Sequence, residues 1–238
     1  IENTIKSIKK FLKEGQVIIL ESTSYPGTTE ELIKKKLNKR FIVGKNFFIG
    51  FSSERINPGF NEDSIYKIPK VVSGFSDNCK KIISLFYLCF FSRVVVASKV
   101  EVAEFSKLLE NIYRAVNIGF INEMKLIANR FKLDIFEIIK IASTKPYGFS
   151  RFNPGPGTGG HCIPVDPKFL SFKSRKYGFK PKFIELAAKT NIKILSNITN
   201  LITKDLGKRK IKLKNSKILI LGISYKKNVD DLRESASL

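Results

Sequence analysis

The chain's only histidine stands beside a cysteine, His161-Cys162, near the end of the most irregular stretch of the sequence, RFNPGPGTGGHCIPVDPKFL at 151–170. Gly155, Gly157, Gly159 and Gly160 alternate there with Pro154 and Pro156, a pattern in which neither a helix nor a central strand forms. Glycine admits positive φ and the close approach of another group, and proline stiffens the same loop. Four residues after the cysteine, Asp166-Pro167 reads as a helix N-cap followed by proline at the first helical position. A thiol just before a helix N-terminus can have a depressed pKa, and its thiolate can attack an electrophilic carbon. The plainer reading is a connecting loop that carries a small buried cysteine. A metal site is disfavoured, because the chain has one histidine and neither Cys79 nor Cys89 stands at ligand spacing from it. A protease dyad is disfavoured too, since adjacent His and Cys seldom aim at each other. Cys79 falls at a helix start, and Cys89, among Leu88, Phe90 and Phe91, is expected to be packed.

The run GPGTGGHCIPVDPKFL resembles the active-site motif of the UDP-glucose/GDP-mannose dehydrogenase family. With His before the Cys and Ile-Pro-Val-Asp-Pro after it, the motif is most similar to the UDP-N-acetyl-D-glucosamine and UDP-N-acetyl-D-mannosamine 6-dehydrogenases. The resemblance implies NAD-dependent oxidation of the C6 alcohol of a UDP-N-acetylhexosamine to the carboxylate. Two hydride transfers are implied, through a thiohemiacetal and then a thioester on Cys162, with Asp166 assisting the water that releases the acid. UDP-glucose as the substrate, or an inactive binding fragment of the same fold, are the alternatives.

The elements that must position this chemistry read as α/β. Ile5, Ile8, Phe11 and Leu12 have helical spacing over 1–14. The apolar run at 16–20 reads as a buried parallel strand, and Thr28 to Glu31 as a capping-box helix start. Strands at 47–51, 70–74 and 93–97 and a helix at about 77–90 complete a partial Rossmann-like parallel sheet. Ligands of such sheets bind at the carboxyl ends of strands. There, ESTSYPGTTEE resembles the family's Glu-Ser-Thr segment, which implies that Ser22 and Thr23 contact the cofactor and that Thr23 places a catalytic water. SERINPG resembles its Pro-Glu-Arg segment with Ser53 for proline. This implies that Glu54 touches the substrate and assists hydrolysis of the acyl intermediate. Pro58 stands where one branch carries a second glutamate, so that role does not transfer.

A long helix is expected over 99–130, with Leu108, Leu109, Ile112, Val116, Phe120 and Ile121 as its apolar side. Glu104, Lys107, Asn111 and Arg114 share one face, which periodicity alone leaves as either a solvated stripe or a functional row. The resemblance makes Lys107 and Asn111 the family's Lys-x-x-x-Asn pair, which steadies the developing alkoxide and holds a water. It also implies substrate contacts for Arg114, Phe152, Gly159, Tyr225 and Lys226, and a cofactor contact for Arg233. Further helices are expected at 134–142, 167–177 and 182–205. The implied layout is the C-terminal part of an NAD-binding domain at 1–98 and an all-helical domain at 99–205 that forms a homodimer core. A strand at 217–222 would open a second Rossmann-like, UDP-sugar-binding domain at 206–238. No Gly-x-Gly-x-x-Gly pyrophosphate fingerprint follows a strand anywhere in the sequence. These residues are therefore expected to be the middle of a longer enzyme, and inactive alone.

Composition sets the outer bounds. With 43% hydrophobic residues and 20 phenylalanines in 238 positions, a folded core is expected. Three cysteines give no disulfide framework, so a reducing, cytoplasmic setting is expected. No apolar run approaches the roughly 20 residues of a membrane span. The formal net charge of +22 comes mostly from lysines scattered along the chain, which argues against a nucleic-acid-reading surface and suits an anionic UDP-sugar partner.

Overall fold

The computed structural model describes every residue except 57–61, 161, 226, 227 and 234. Pro58, His161 and Lys226 therefore lie outside the described residues. The chain divides into two units, Ile1–Glu110 and Asn111–Leu238.

The first unit opens with α1 (Glu2–Ile8) and a 3-10 turn at Lys9–Phe11. The helix is shorter than the 1–14 expected, because Leu12 turns to an extended conformation and is buried. The sheet comprises β1 (Val17–Leu20), β2 (Phe48–Ser52), β3 (Lys70–Gly74) and β4 (Val94–Val96), in that spatial order. β1–β2 and β3–β4 are parallel, but β2–β3 is antiparallel, with Ser52 opposite Val72. A parallel pair needs a crossover, usually helical. The β2–β3 connection carries only the 3-10 turn Glu62–Lys67 among its described residues, and the chain returns along β2 instead.

α2 (Asp77–Leu88) is capped by Ser76, whose hydroxyl accepts from the Cys79 N–H at 3.1 Å. It lies so close to the sheet that a Cβ on Gly50 would sit 2.4 Å from Ile83 Cδ1, and one on Gly74 would sit 2.6 Å from Cys79 Cβ. Phe47, Ile49 and Phe51 are fully buried with Ile33, Val71, Val100 and Ala103, each large side chain worth about 1.5–3 kcal/mol of burial. The expected capping box at Thr28 does not form. The Thr28 hydroxyl donates to the Tyr25 carbonyl at 2.5 Å, and a π-helical turn, Thr29–Ile33, follows.

The long helix α3 (Val100–Arg130) begins in the first unit and ends in the second. The second unit adds α4 (Ile135–Ala142), α5 (Asp166–Lys176) and α6 (Lys182–Lys208). Its core gathers Ile121, Ala128, Ile135 and Ile139, with Met124 and Phe152 against them. On α3 the expected apolar side is only partly used: Leu109 and Phe120 are exposed, whereas Glu104 and Asn111 are 1% exposed. Residues 217–222 form no strand. A strand needs a neighbour to take its backbone hydrogen bonds. None pairs with these residues among those described, and Leu219 and Leu221 are exposed. No helix among the described residues is long and apolar enough to cross a membrane.

Candidate active site

In the second unit the chemistry gathers where α3 meets the head of α5. Asn111 donates from Nδ2 to Asp166 Oδ2 at 2.5 Å and accepts on Oδ1 from Arg114 Nη2 at 2.5 Å. Asp166, 4% exposed, is the first residue of α5 rather than its N-cap, and the preceding Val165 makes no side-chain cap. Its carboxylate accepts from Asn111, as a buried carboxylate needs a donor. The turn before α5 is closed by the Cys162 carbonyl, which accepts from the Val165 and Asp166 N–H groups at 3.1 and 2.8 Å. That fixes the Cys162 backbone one turn ahead of Asp166 and leaves the residue exposed. Cys162 thus precedes the N-terminal end of α5, the kind of setting in which reactive cysteines are found.

Tyr225 covers the glycines of the loop. A Cβ on Gly159 would lie 2.7 Å from Tyr225 Cβ, and one on Gly160 would lie 2.9 Å from its ring, both glycines having positive φ. Arg233 is exposed and forks onto Asp231, whose carboxylate holds the guanidinium above its ordinary range. Phe152 meets Tyr113 edge-on at 5.9 Å. A cavity of about 290 Å³ between the loop, α3 and α6 is lined by Ile112, Ala115, Ile163 and Ala187 among others, but not by Asn111, Cys162 or Asp166.

In the first unit, Glu54 follows β2. Its Oε1 accepts from the Ile56 N–H at 2.6 Å and its Oε2 lies 3.3 Å from Lys70 Nζ. Arg55 donates to the Pro69 carbonyl at 3.0 Å and pairs with Glu110. Ser22, exposed, and Thr23, half-buried, follow β1. Burial alone would raise the Glu21 carboxyl, but the Tyr87 hydroxyl, donating at 2.6 Å, and the Lys70 ammonium together hold it below the ordinary carboxylate value. Burial and the Glu21 carboxylate in turn push the Tyr87 phenol up. Lys107 is half-buried on α3, one turn before Asn111.

Residues 1–90 match the NAD binding domain, and residues 101–193 the central domain, of one and the same family. The chain belongs to the UDP-glucose/GDP-mannose dehydrogenase family. It is 37% identical over 235 residues to the UDP-N-acetyl-D-glucosamine 6-dehydrogenase of Pseudomonas aeruginosa, covering 97% of this chain and 55% of that protein. To the UDP-N-acetyl-D-mannosamine dehydrogenase of Methanocaldococcus jannaschii it is 34% identical, over 99% of this chain and 52% of that one. The solved structure of the UDP-D-ManNAc dehydrogenase of Pyrococcus horikoshii superimposes with a TM-score of 0.92 at 30% identity, over 99% of this chain and 56% of that one. The chain thus spans about half the length of the relatives it matches.

The residues present fit the NAD of the family's NAD binding domain. Ser24 and Ser53, buried just past the carboxyl ends of β1 and β2, carry hydroxyls with no partner among the described residues, and such groups suit an amide or ribose ligand. The Gly-x-Gly-x-x-Gly spacing occurs once, at Gly155, Gly157 and Gly160, in a loop that follows a helix and not a strand, which is not the setting of a pyrophosphate fingerprint. Among the described residues no group of three or more His, Cys, Asp or Glu could hold a metal ion.

Several buried polar positions around the glycine loop and the long helices escape motif reading. Asn122, fully buried, accepts from the Gly155 N–H at 2.9 Å, and Asn191 ties α6 to α3 through the Ala115 carbonyl at 3.0 Å. An asparagine inside a long helix is locally unfavourable, and that was the available signal. Glu104 stands in the polar row of the long helix and Glu21 opens the Glu-Ser-Thr segment, both without an assigned role, and Lys70 carries no signal.

Proposed function

We propose that this chain carries the catalytic residues of an NAD-dependent UDP-sugar 6-dehydrogenase that takes the C6 alcohol of a UDP-N-acetylhexosamine to the carboxylate. The observation that carries the reading is the buried Asn111–Asp166 pair at the head of α5, one turn from the exposed Cys162. Relatives named for this activity on N-acetylated UDP-sugars support it.

Lys107 and Asn111 favour negative charge on the C6 oxygen as the alcohol becomes an aldehyde. The Cys162 sulfur then bonds to the aldehyde carbon, whose oxygen takes up a proton, giving a thiohemiacetal. Oxidation of that adduct leaves a thioester. Water adds to its carbon, its proton passes to Glu54, and the carbon–sulfur bond breaks with Cys162 leaving as thiolate. Asp166 and Thr23 orient this water. When bound, NAD supplies the hydride acceptor for each oxidation, with Ser22, Thr23 and Arg233 as its contacts from this chain. Arg114, Phe152, Gly159 and Tyr225 hold the UDP-sugar. The covalent link keeps a reactive aldehyde from escaping between the two oxidations.

The test is a substrate panel with the chain completed to the length of its relatives. UDP-N-acetylhexosamines should yield two NADH per sugar, and acid formation from none of the UDP-sugars tested would end the proposal. In the same protein Lys107→Ala should lower turnover by ~10²–10³ with little change in KM, as expected for a donor aimed at a developing oxyanion. Turnover within a few-fold of wild type would make Lys107 a surface lysine.

The helical part also forms a homodimer in this reading. The exposed Phe120 and Ile127 of α3, and Phe131 just past its end, support it, since such apolar rows are usually covered. Light scattering should give twice the chain mass, and a monomer at micromolar concentration would refute the dimer.

A further inference from the structure

β3 begins with a lysine that is 3% exposed. An ammonium is buried only where it is paired, and Lys70 has two carboxylates, Glu21 Oε1 at 3.0 Å and Glu54 Oε2 at 3.3 Å. Its Nζ also lies 5.0 and 5.3 Å from the ring centroids of Tyr87 and Phe91, within cation–π reach. The antiparallel β2–β3 pair creates this arrangement. With Ser52 opposite Val72, and the Ser53 N–H bonded to the Val71 carbonyl, the register brings the start of β3 against the outgoing end of β2. In an all-parallel sheet Lys70 would sit at the other edge. One ammonium therefore ties the residue after β1, Glu21, to the residue two past β2, Glu54.

The burial is asymmetric. Lys70 is sealed, while the Glu21 and Glu54 side chains are 49% and 44% exposed. Lys70 is thus shut off from a ligand, and what it does it does through the carboxylates. Glu54 is held on both oxygens, by the Ile56 N–H and by Lys70. A carboxylate offers about four acceptor directions, so the remaining ones stay open to water.

We propose that Lys70 is the positioning residue of Glu54, fixing the carboxylate that takes a proton from the hydrolytic water of the acyl intermediate. This rests on the functional reading above. A purely structural ion pair would behave otherwise, because buried pairs can often be replaced by apolar side chains of similar volume without loss of stability.

The test compares Lys70→Met and Lys70→Arg in the completed chain. Lys70→Met should slow acyl hydrolysis by up to ~10², the usual scale for misplacing a catalytic group by about 1 Å. KM for the UDP-sugar should not rise, and the acyl group should accumulate on Cys162 as a mass adduct. Lys70→Arg should restore hydrolysis to within a few-fold of wild type. Wild-type hydrolysis in Lys70→Met would overturn the proposal. Should Lys70→Met not fold, Glu21→Gln is read instead. It removes one anchor of the ammonium and should slow hydrolysis several-fold, and no change would count against Lys70. Should the wild type oxidise no UDP-sugar, the functional reading fails and the positioning claim is judged on the 238-residue chain itself. There a crystal structure of Lys70→Met should show the Glu54 carboxylate displaced by about 1 Å or more or spread over several rotamers, since its Lys70 anchor at 3.3 Å is gone. A Glu54 carboxylate in its wild-type position would refute it.

Discussion

Cys162→Ala should abolish conversion of alcohol to carboxylate in the completed chain, by at least about 10⁴-fold, the scale of losing a covalent nucleophile. Cys89→Ala should leave turnover unchanged. Both cysteines are exposed, so accessibility does not separate them; what surrounds them does. Cys89 ends α2, with its sulfur 3.4 Å from the Leu85 carbonyl of its own helix. Cys162 precedes the start of α5, and a helix N-terminus is a setting in which reactive cysteines are found. Cys162→Ser is the sharper probe. Its hydroxyl can still trap the aldehyde, but the resulting ester releases an alkoxide, a poorer leaving group than a thiolate. Substrate and NAD should then leave the sugar-nucleotide acyl group on the protein, visible as a mass increase. Normal acid production by Cys162→Ala would remove Cys162 from the mechanism.

The loop at 151–170 was legible because its signals are local: glycines, prolines and a thiol at fixed spacing. Asp166 shows the limit of such signals. Its position before Pro167 reads as a cap, yet its carboxylate turns to Asn111, 55 residues away in the chain. Periodicity located α3 nearly to the residue but misjudged its faces. Glu104 and Asn111 are buried because partners on other segments satisfy them, whereas Leu109 and Phe120 stay exposed. Hydrophobic spacing reports which residues could be buried, not which polar groups find donors. Cys89 failed the same way: Phe90 and Leu88 beside it are themselves half exposed, so an apolar neighbourhood in sequence gave no shelter. The strands of the first unit were placed well, but strand direction depends on the connection, and nothing local in β2 or β3 announces that they run antiparallel. That reversal is what turns Lys70 from an ordinary strand lysine into a buried one.

Glu104→Leu should destabilise the 238-residue chain by about 3 kcal/mol or more, since buried donors left without an acceptor cost roughly 1–3 kcal/mol each. Glu104, on α3, accepts three hydrogen bonds: from the Gly27 N–H at 2.5 Å, the Thr29 N–H at 2.9 Å and the Thr29 hydroxyl at 2.6 Å. It buckles down the far end of the loop that carries Ser22 and Thr23. Against a typical domain stability of about 5–15 kcal/mol, the loss should appear as a large drop in the urea midpoint. Glu104→Gln should cost less, because one oxygen still accepts from Thr29 while its amide confronts the Gly27 N–H. The pH dependence gives a second reading. Burial raises the Glu104 carboxyl above its ordinary 4.5, and the three donors only partly offset it. The folded state therefore binds the proton more tightly than the unfolded chain. This contribution is fully present below pH 4.5 and is lost as pH rises through the raised folded value. The stability advantage of wild type over Glu104→Gln should accordingly shrink across that window and level off above it. An advantage that grows with pH would mean that the three donors outweigh burial, and that the carboxylate, not the acid, is the form the fold prefers.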